Sequence, residues 1–586
     1  MKRTISIAAL MLSMLACSQQ PPPPPGASTE NKTDTKIRFA DSTQQSGVQF
    51  RHVPTRTNEK WMPETIGSGV VTADFNRDGA PDIVLVNSGV VWSAERGPDA
   101  GNKLFINDGH GKFTDKTAEW KLPSTGYGMG AAAGDFNNDG WLDLFLTSFD
   151  GNNRLLKNTG TGFEDVTDVS GVKSDGKWAT SAGFADFDSD GDLDLFVVRY
   201  VDYDRTATAS YRNRIPVYAT PVAFDATPDQ LWRNDGNGKF TDFTAQSGLT
   251  DNNGKGLALA LGDIDADGDV DAYVANDTSP NSLWINDGKG NFRDVAPLAG
   301  AAYSEVGKEE GSMGADFSDT DSNGFMDIVV TNFQEENASI YSQTQRLLFA
   351  EISDAVGVGQ SSRARLKFGV DFFDADNDGD EDLLIANGHI EDNIDQNSSS
   401  VTFAQQNLLL ENLGTGKFAD ISNSSGPALA DKQVSRGLAT GDLDGDGDLD
   451  FVITNNGGTA QIAFNETIDK GSFVVLWLEG LHNKCAIGAR LVAKIGERTI
   501  ERQVMGSQSY LSMSDLRVHF GLATAQQIDE LTIYWPGGDK QVIASVAAGK
   551  FYSIREGDAP VEFVPGAFTY VQSSSKPGGL HFRTSQ

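Results

Sequence analysis

The sequence predicts an all-β chain: a seven-bladed β-propeller with calcium-binding loops, followed by a small sandwich-like β domain. Three observations predict it. An acidic nine-residue motif occurs seven times, a similar strand pattern surrounds its copies, and the chain opens with an unpartnered piece of that pattern. Repetition at such periods signals a repeat architecture.

The motif is Asp-x-[Asp/Asn]-x-[Asp/Asn]-Gly-x-x-Asp, and its copies are spaced by 61, 51, 77, 56, 55 and 68 residues. Positions 1, 3 and 5 put short oxygen-bearing side chains on the concave side of a tight turn. The Gly at position 6 permits the bend, position 7 can offer its carbonyl, and the Asp at position 9 closes the shell. This is the logic of the front half of an EF-hand loop. The candidate ligands are Asp74, Asn76, Asp78 and Asp82 in loop 1; Asp135, Asn137, Asp139 and Asp143 in loop 2; and Asp186, Asp188, Asp190 and Asp194 in loop 3. Loop 4 offers Asp263, Asp265, Asp267 and Asp271, and loop 5 offers Asp319, Asp321, Asn323 and Asp327. Loop 6 offers Asp374, Asp376, Asp378 and Asp382, and loop 7 offers Asp442, Asp444, Asp446 and Asp450. No loop contains His or Cys, which disfavours zinc and copper. All-oxygen sets with three or four carboxylates favour Ca²⁺ over Mg²⁺. Up to seven Ca²⁺ ions are expected, held more weakly where Asn76, Asn137 and Asn323 lower the charge. The alternative, that these are plain Asp-Gly hairpin turns, would not require seven copies in one register.

Before a loop come small residues, as in Gly128-Met129-Gly130-Ala131-Ala132-Ala133-Gly134, suited to an innermost strand crowded at a central axis. After it comes an apolar run such as Asp194-Leu195-Phe196-Val197-Val198, read as a strand buried on both faces. A third strand ends in an Asn-Asp-Gly hairpin signal, as in Leu231-Trp232-Arg233-Asn234-Asp235-Gly236, and a fourth follows in Lys239-Phe240-Thr241-Asp242. Four antiparallel strands repeated radially make a propeller blade. The opening phrase, from Phe39-Ala40-Asp41 to Gly47-Val48, parallels Phe240-Thr241-Asp242 to Gly248-Leu249, while the last repeat has no such fourth strand. Residues 37–41 are therefore expected to complete the last blade, leaving no ring edge open.

The formal net charge is −35, and 25 Asp sit at ligand positions. Seven divalent ions would reduce the charge to about −21, so much of the acidity is a demand for metal. Such a balance argues against nucleic acid as a partner. Removing calcium should leave clustered carboxylates repelling one another, so folding and metal binding are expected to be linked.

Residues 1–17 read as a targeting segment: Lys2 and Arg3, a short apolar run, then Met14-Leu15-Ala16-Cys17, which resembles a bacterial lipobox. The resemblance implies cleavage before Cys17, lipidation of its thiol, and anchoring as an outer-membrane lipoprotein of a Gram-negative bacterium, on the periplasmic or cell-surface side. Ordinary secretion, with Cys17 cut away, is the alternative. Residues 18–36 form a Pro-rich tether, stiffest over residues 21–25. Only Cys485 would then remain, so no intramolecular disulfide is possible.

The propeller is placed at residues 37–465 and a β domain at 466–556, on strand patterns such as Phe473-Val474-Val475-Leu476-Trp477-Leu478 and Leu531-Thr532-Ile533-Tyr534-Trp535. Residues 557–586 form a tail whose last ten or so residues are expected to be loosely ordered. The repeats resemble FG-GAP repeats of integrin α chains and VCBS repeats of bacterial surface proteins. Ala486-Ile487-Gly488-Ala489-Arg490-Leu491, Gly506-Ser507-Gln508-Ser509-Tyr510-Leu511-Ser512, His519-Phe520-Gly521-Leu522 and Trp535-Pro536-Gly537-Gly538 look like the ASPIC/UnbV module. The chain is thus similar to bacterial relatives of cartilage acidic proteins. The resemblance implies a calcium-bound propeller, a small all-β module and extracellular interaction, with no agreed reaction.

No catalytic residue is assigned. There is no His-Glu-x-x-His and no Gly-x-Ser-x-Gly elbow, and the carboxylates look committed to metal. His389 and His519 read as structural, and Cys485 as a buried small hydrophobe. A long insertion, residues 199–229, carries Tyr200, Tyr203, Arg205, Tyr211, Arg212, Arg214 and Tyr218. It is either a lid packed on neighbouring blades or a ligand contact. Three functions stay open: a monomeric, calcium-stabilised adhesion module for a protein or glycan, a polysaccharide-active lyase or hydrolase, and an assembly partner of an outer-membrane complex. Fold alone does not choose among them.

Overall fold

The computed structural model describes residues 36–584, except 93–99, 125, 174, 205, 207–208, 237, 250–252 and 573–579. Residues Thr35–Gln586 form one compact unit. The targeting segment, Cys17 and the Pro-rich tether lie outside the described residues. No helix among the described residues is long and apolar enough to cross a membrane.

Seven four-stranded antiparallel sheets carry the seven acidic loops, one loop between the first and second strand of each. Blade 2 is typical: Gly128–Gly134, Asp143–Ser148, Arg154–Asn158 and Phe163–Asp165. Its first two strands are buried throughout, because their neighbours cover both faces. Its fourth strand buries only Phe163 and faces solvent with Glu164 and Asp165. The innermost strands touch one another in sequence order, and the seventh returns to the first. Phe39–Asp41 supplies the outer strand of the last blade, pairing Phe39 with Asn465 and Asp41 with Ala463. The ends of the chain's repeat region are thereby joined through backbone hydrogen bonds.

After the fourth strand of blades 2, 3, 4, 5 and 7 comes one helical turn closed by a left-handed glycine. In blade 3, Thr244 N–H donates to Asp242 Oδ1, the turn runs Thr244–Ser247, and Gly248 ends it at φ 91°. The same phrase at Asp41, Thr43 and Gly47 explains why the opening residues matched a mid-chain repeat end.

The C-terminal region is two stacked four-stranded sheets. One orders Val518–Ala523, Ser472–Glu479, Lys550–Arg555 and Val561–Phe563, with a parallel pairing between the second and third. The other orders Arg498–Gln503, Arg490–Ile495, Glu530–Tyr534 and Lys540–Ile543. At the tail, Phe568–Gln572 pairs with Leu580–Thr584.

Residues 506–517 leave this sandwich and fill the propeller's axis. Ser507 Oγ bonds Ala182 O and Leu259 O, Ser509 Oγ accepts from Val370 N, and Tyr510 Oη donates to Ile66 O. Met513 exchanges backbone bonds with Val70 and Thr72, and Ser514 Oγ accepts from Thr440 N. The glycines of the inner strands have a concrete cause here. A Cβ on Gly69 would lie 1.9 Å from Leu511 O, and one on Gly130 would lie 2.7 Å from the same atom.

Candidate metal centres

Each loop is shaped before any ion arrives. The position-1 Asp accepts two backbone N–H bonds across the turn. In loop 1, Asp78 N donates to Asp74 Oδ1 at 3.1 Å and Gly79 N to Asp74 Oδ2 at 2.8 Å. Asp135, Asp186, Asp263, Asp319 and Asp374 are held in the same way. Loop 7 differs, since Gly445 and Gly447 donate to Asp442. Glycine stands at position 6 because φ there is 85° to 99° across the loops. Position 4 is left-handed as well, and only loop 7 places a glycine, Gly445, there.

The position-9 Asp is almost wholly buried in every loop, from Asp82 to Asp450. One oxygen accepts from the backbone N of the residue that ends the third strand, as Asn234 N does to Asp194 Oδ1 at 2.7 Å. In six loops the other oxygen accepts from the position-2 N, as Phe187 N does to Asp194 Oδ2 at 3.1 Å. In loop 2 it accepts from Asn137 Nδ2 instead, at 2.7 Å. This residue therefore ties loop to blade whether or not it also touches an ion.

Four loops gather three carboxylates with ligand oxygens within 4.8 Å of one another: Asp186, Asp188 and Asp194; Asp263, Asp265 and Asp271; Asp374, Asp376 and Asp378; and Asp442, Asp444 and Asp450. Among the described residues, loops 1, 2 and 5 do not, and these are the loops with Asn76, Asn137 and Asn323. In loop 1 the amide of Asn76 donates to Asp78 Oδ2 at 2.8 Å, and Lys157 pairs with Asp139 of loop 2 at 3.0 Å.

The donor chemistry fits a divalent cation. Burial, with neighbouring carboxylates adding to it, raises Asp74, Asp135, Asp186 and Asp442 to about 7. Burial likewise holds Asp82, Asp143, Asp194, Asp271, Asp382 and Asp450 well above the usual range. Oδ1 of Asp188 and Oδ1 of Asp444 are buried and accept no hydrogen bond. In loop 4, Asp265 Oδ1 faces the guanidinium of Arg346 at 2.8 Å. A carboxylate oxygen taken from water without a donor is costly, and a cation would supply what these oxygens lack. Positions 1, 3 and 9 of loops 3, 4 and 7, and positions 1, 3 and 5 of loop 6, could hold it.

The sandwich packs on the face that bears the loops. Arg517, fully buried, donates to Gly79 O and Asp442 O; Lys484 N donates to Asn138 Oδ1; Gln503 Nε2 donates to Asp263 O; Ala523 N donates to Asn377 O; and His519 Nε2 meets Gly447 O. His519 is thus structural and buried, with its imidazole held to about 4 by desolvation. Cys485 is buried and its thiol is pushed up to about 12 by desolvation.

One set of residues escaped sequence reasoning. The third strand of each blade carries an amide residue at or near its end, Asn107, Asn158, Asn234, Asn286, Gln343, Asn412 or Asn465, and the sequence pattern marks only the Asn-Asp-Gly phrase, as at Asn234, as a hairpin signal. Each side chain reaches the position-2 carbonyl of the preceding blade's loop. Asn158 Nδ2 bonds Phe75 O, Asn234 bonds Phe136 O, Asn286 bonds Phe187 O, Gln343 bonds Ile264 O, Asn412 bonds Thr320 O, Asn465 bonds Ala375 O, and Asn107 bonds Leu443 O to close the circle. The signal was present: an amide side chain recurs 15 or more residues after each position-9 Asp, where a turn alone would tolerate Asp, Ser or Gly.

Comparison with known proteins agrees with this geometry. The FG-GAP-like repeat model matches residues 74–146, 135–197, 219–274, 263–330 and 374–453, and the ASPIC and UnbV model matches 480–561. Cartilage acidic protein 1 of Homo sapiens is 23% identical over 514 residues, 84% of this chain and 72% of that protein. The Mus musculus protein is 25% identical over 515 residues, 84% of this chain and 74% of that one. A solved Agrocybe aegerita lectin, described as recognising non-reducing terminal N-acetylglucosamine, aligns with a TM-score of 0.36 at 14% identity, over 66% of this chain and 88% of the lectin. With the repeat model alone matching more than half of its length, this chain belongs to the FG-GAP-like repeat family and carries an ASPIC and UnbV module at its C-terminal side.

Proposed function

We propose that this protein is a calcium-binding, non-enzymatic binding module of the cell envelope, anchored through a lipid on Cys17 and engaging a protein or glycan ligand. The observation that carries the calcium assignment is the unpartnered position-3 oxygen of Asp188 and of Asp444, each buried within a three-carboxylate, all-oxygen set. Such sets suit Ca²⁺, which accepts six to eight oxygens in flexible geometry, better than Mg²⁺. Bound ions would neutralise loops that the C-terminal sandwich covers, so calcium acts as a structural staple between the two parts. Recognition is then left to the opposite face, where the insertion and the second-to-third-strand loops lie.

The test is calorimetric titration of chelated protein with calcium and with magnesium, alongside glycan and surface-protein arrays run with calcium or with chelator. Tight calcium sites and array binding that vanishes with chelator support the reading. Absence of tight sites rejects the calcium assignment. Turnover of a polysaccharide on the same array would reject the non-enzymatic one.

A further inference from the structure

A cavity of about 550 Å³ opens at the axis on the face away from the acidic loops. That size suits a small organic molecule. Its walls are apolar and aromatic, with Met62, Tyr200, Met313, Phe333 and Phe368 among them. The insertion roofs it. The hairpin Ser210–Arg212 with Ile215–Val217 lies over the opening, fastened by Asn393 Nδ2 to Pro216 O at 2.9 Å and by Tyr218 N to Glu391 Oε1 at 2.7 Å.

The polar groups in this lining are unbalanced. Among the described residues of the lining, Asp277, Glu335, Glu336 and Glu391 are acidic, against Arg212 alone among Lys and Arg. Asp277 is 9% exposed and accepts from Tyr200 Oη at 2.6 Å, yet it forms no ion pair among the described residues. Glu336 is paired outward to Lys308, and Glu391 approaches Lys60 at 3.9 Å while its Oε2 accepts no hydrogen bond. His389, 3% exposed, accepts Glu391 N–H at Nδ1, so its proton sits on Nε2, which has no protein partner among the described residues. The buried Arg436 does not offset the carboxylates from within the cavity: it is engaged by Thr65 O, Ser435 O and Gly388 O and stacks on Phe368 at 3.8 Å.

We infer that this cavity binds a small organic cation, a protonated amine on an apolar body, with its ammonium against Asp277 and its body among the aromatic and methionine walls. A buried carboxylate that forms no ion pair among the described residues supplies the ionic contact, and aromatic faces favour a cation further. The inference stands apart from the calcium reading, because no acidic-loop residue lines the cavity.

Calorimetry on the full chain in calcium buffer tests it with phenethylamine, its neutral isostere 2-phenylethanol, the anion phenylacetate, and glucose. The amine is expected to bind at least about tenfold more tightly than the alcohol, the scale of a charge-assisted hydrogen bond. Asp277→Asn keeps an acceptor for Tyr200 and should remove that difference. Val217→Trp, on the roof, should block amine and alcohol alike without touching the core. Equal affinity for amine and alcohol, no amine binding at millimolar concentration, amine affinity unchanged by both variants, or preferential binding of phenylacetate or glucose would each overturn the proposal. Should Asp277→Asn fail to fold, the isostere comparison and the roof variant still decide.

Discussion

Asn234→Ala is the sharpest probe of how the ring is held. The Asn234 side chain is fully buried and makes three bonds: Nδ2 to Phe136 O at 2.7 Å, Nδ2 to Leu193 O at 3.0 Å, and Oδ1 from Gly236 N at 3.1 Å. Truncation removes all three and strands two carbonyls and one N–H in or beside the interface between blades 2 and 3. At a net value of about 1 kcal/mol per bond the loss is about 3 kcal/mol, more if water cannot reach the freed groups. The backbone bond from Asn234 N to Asp194 survives, so the loss isolates the interblade tie. Asn291→Ala is the control. It too sits in an Asn-bearing hairpin, but it is exposed and bonds only the Asp287 side chain, so it should cost no more than about 0.5 kcal/mol. Urea unfolding in calcium, with hydrogen exchange at Phe136 and Leu193, reads both quantities. If Asn234→Ala is no more costly than Asn291→Ala, the interblade role is wrong and these asparagines are turn residues only.

Three further outcomes follow from the same contacts. Because Asp74, Asp135, Asp186 and Asp442 titrate near 7 when folded without ions but near 4 when unfolded, the folded chelated protein holds more protons between those values. Its urea midpoint should therefore fall as pH rises from about 4 to 7, whereas calcium stabilisation should grow over the same range, since binding needs the deprotonated groups. Asp188→Asn and Asp444→Asn should each remove or weaken one tight calcium site, while Asn137→Asp should strengthen loop 2, all read as stoichiometry and affinity by calorimetry. Arg517→Ala should cost about 3–5 kcal/mol in thermal or urea unfolding, because it leaves Asp515 buried without its cation and frees two loop carbonyls.

Much of the architecture was legible because its determinants are local. A nine-residue loop is closed by bonds between residues at most seven apart, as between Phe187 N and Asp194, so its motif reports its shape directly. The blade pattern is a matter of small-residue runs, continuous apolar runs and hairpin chemistry, and the orphan phrase at Phe39 announced the strand exchange that closes the ring. Asn234 shows where such reading stops. Its role depends on a carbonyl 98 residues away, and nothing in its own neighbourhood distinguishes it from a turn former. Crowding at an axis accounts for small residues on the inner strands, but the atom that excludes a side chain at Gly69 and Gly130 belongs to Leu511, in the C-terminal module.

The sequence by itself determined the repeat number, the acidic loops, the closing role of the opening strand and the all-β C-terminal module, because each is announced by a local phrase: loop spacing, small-residue and apolar runs, or a hairpin signal. The tertiary structure alone decided that the module covers the loop face, that residues 506–517 occupy the axis, that amide side chains stitch blade to blade, and that the insertion roofs a cavity onto which Asp277 faces. Those outcomes depend on which distant surfaces meet, and shape and charge complementarity between them appears in no local pattern.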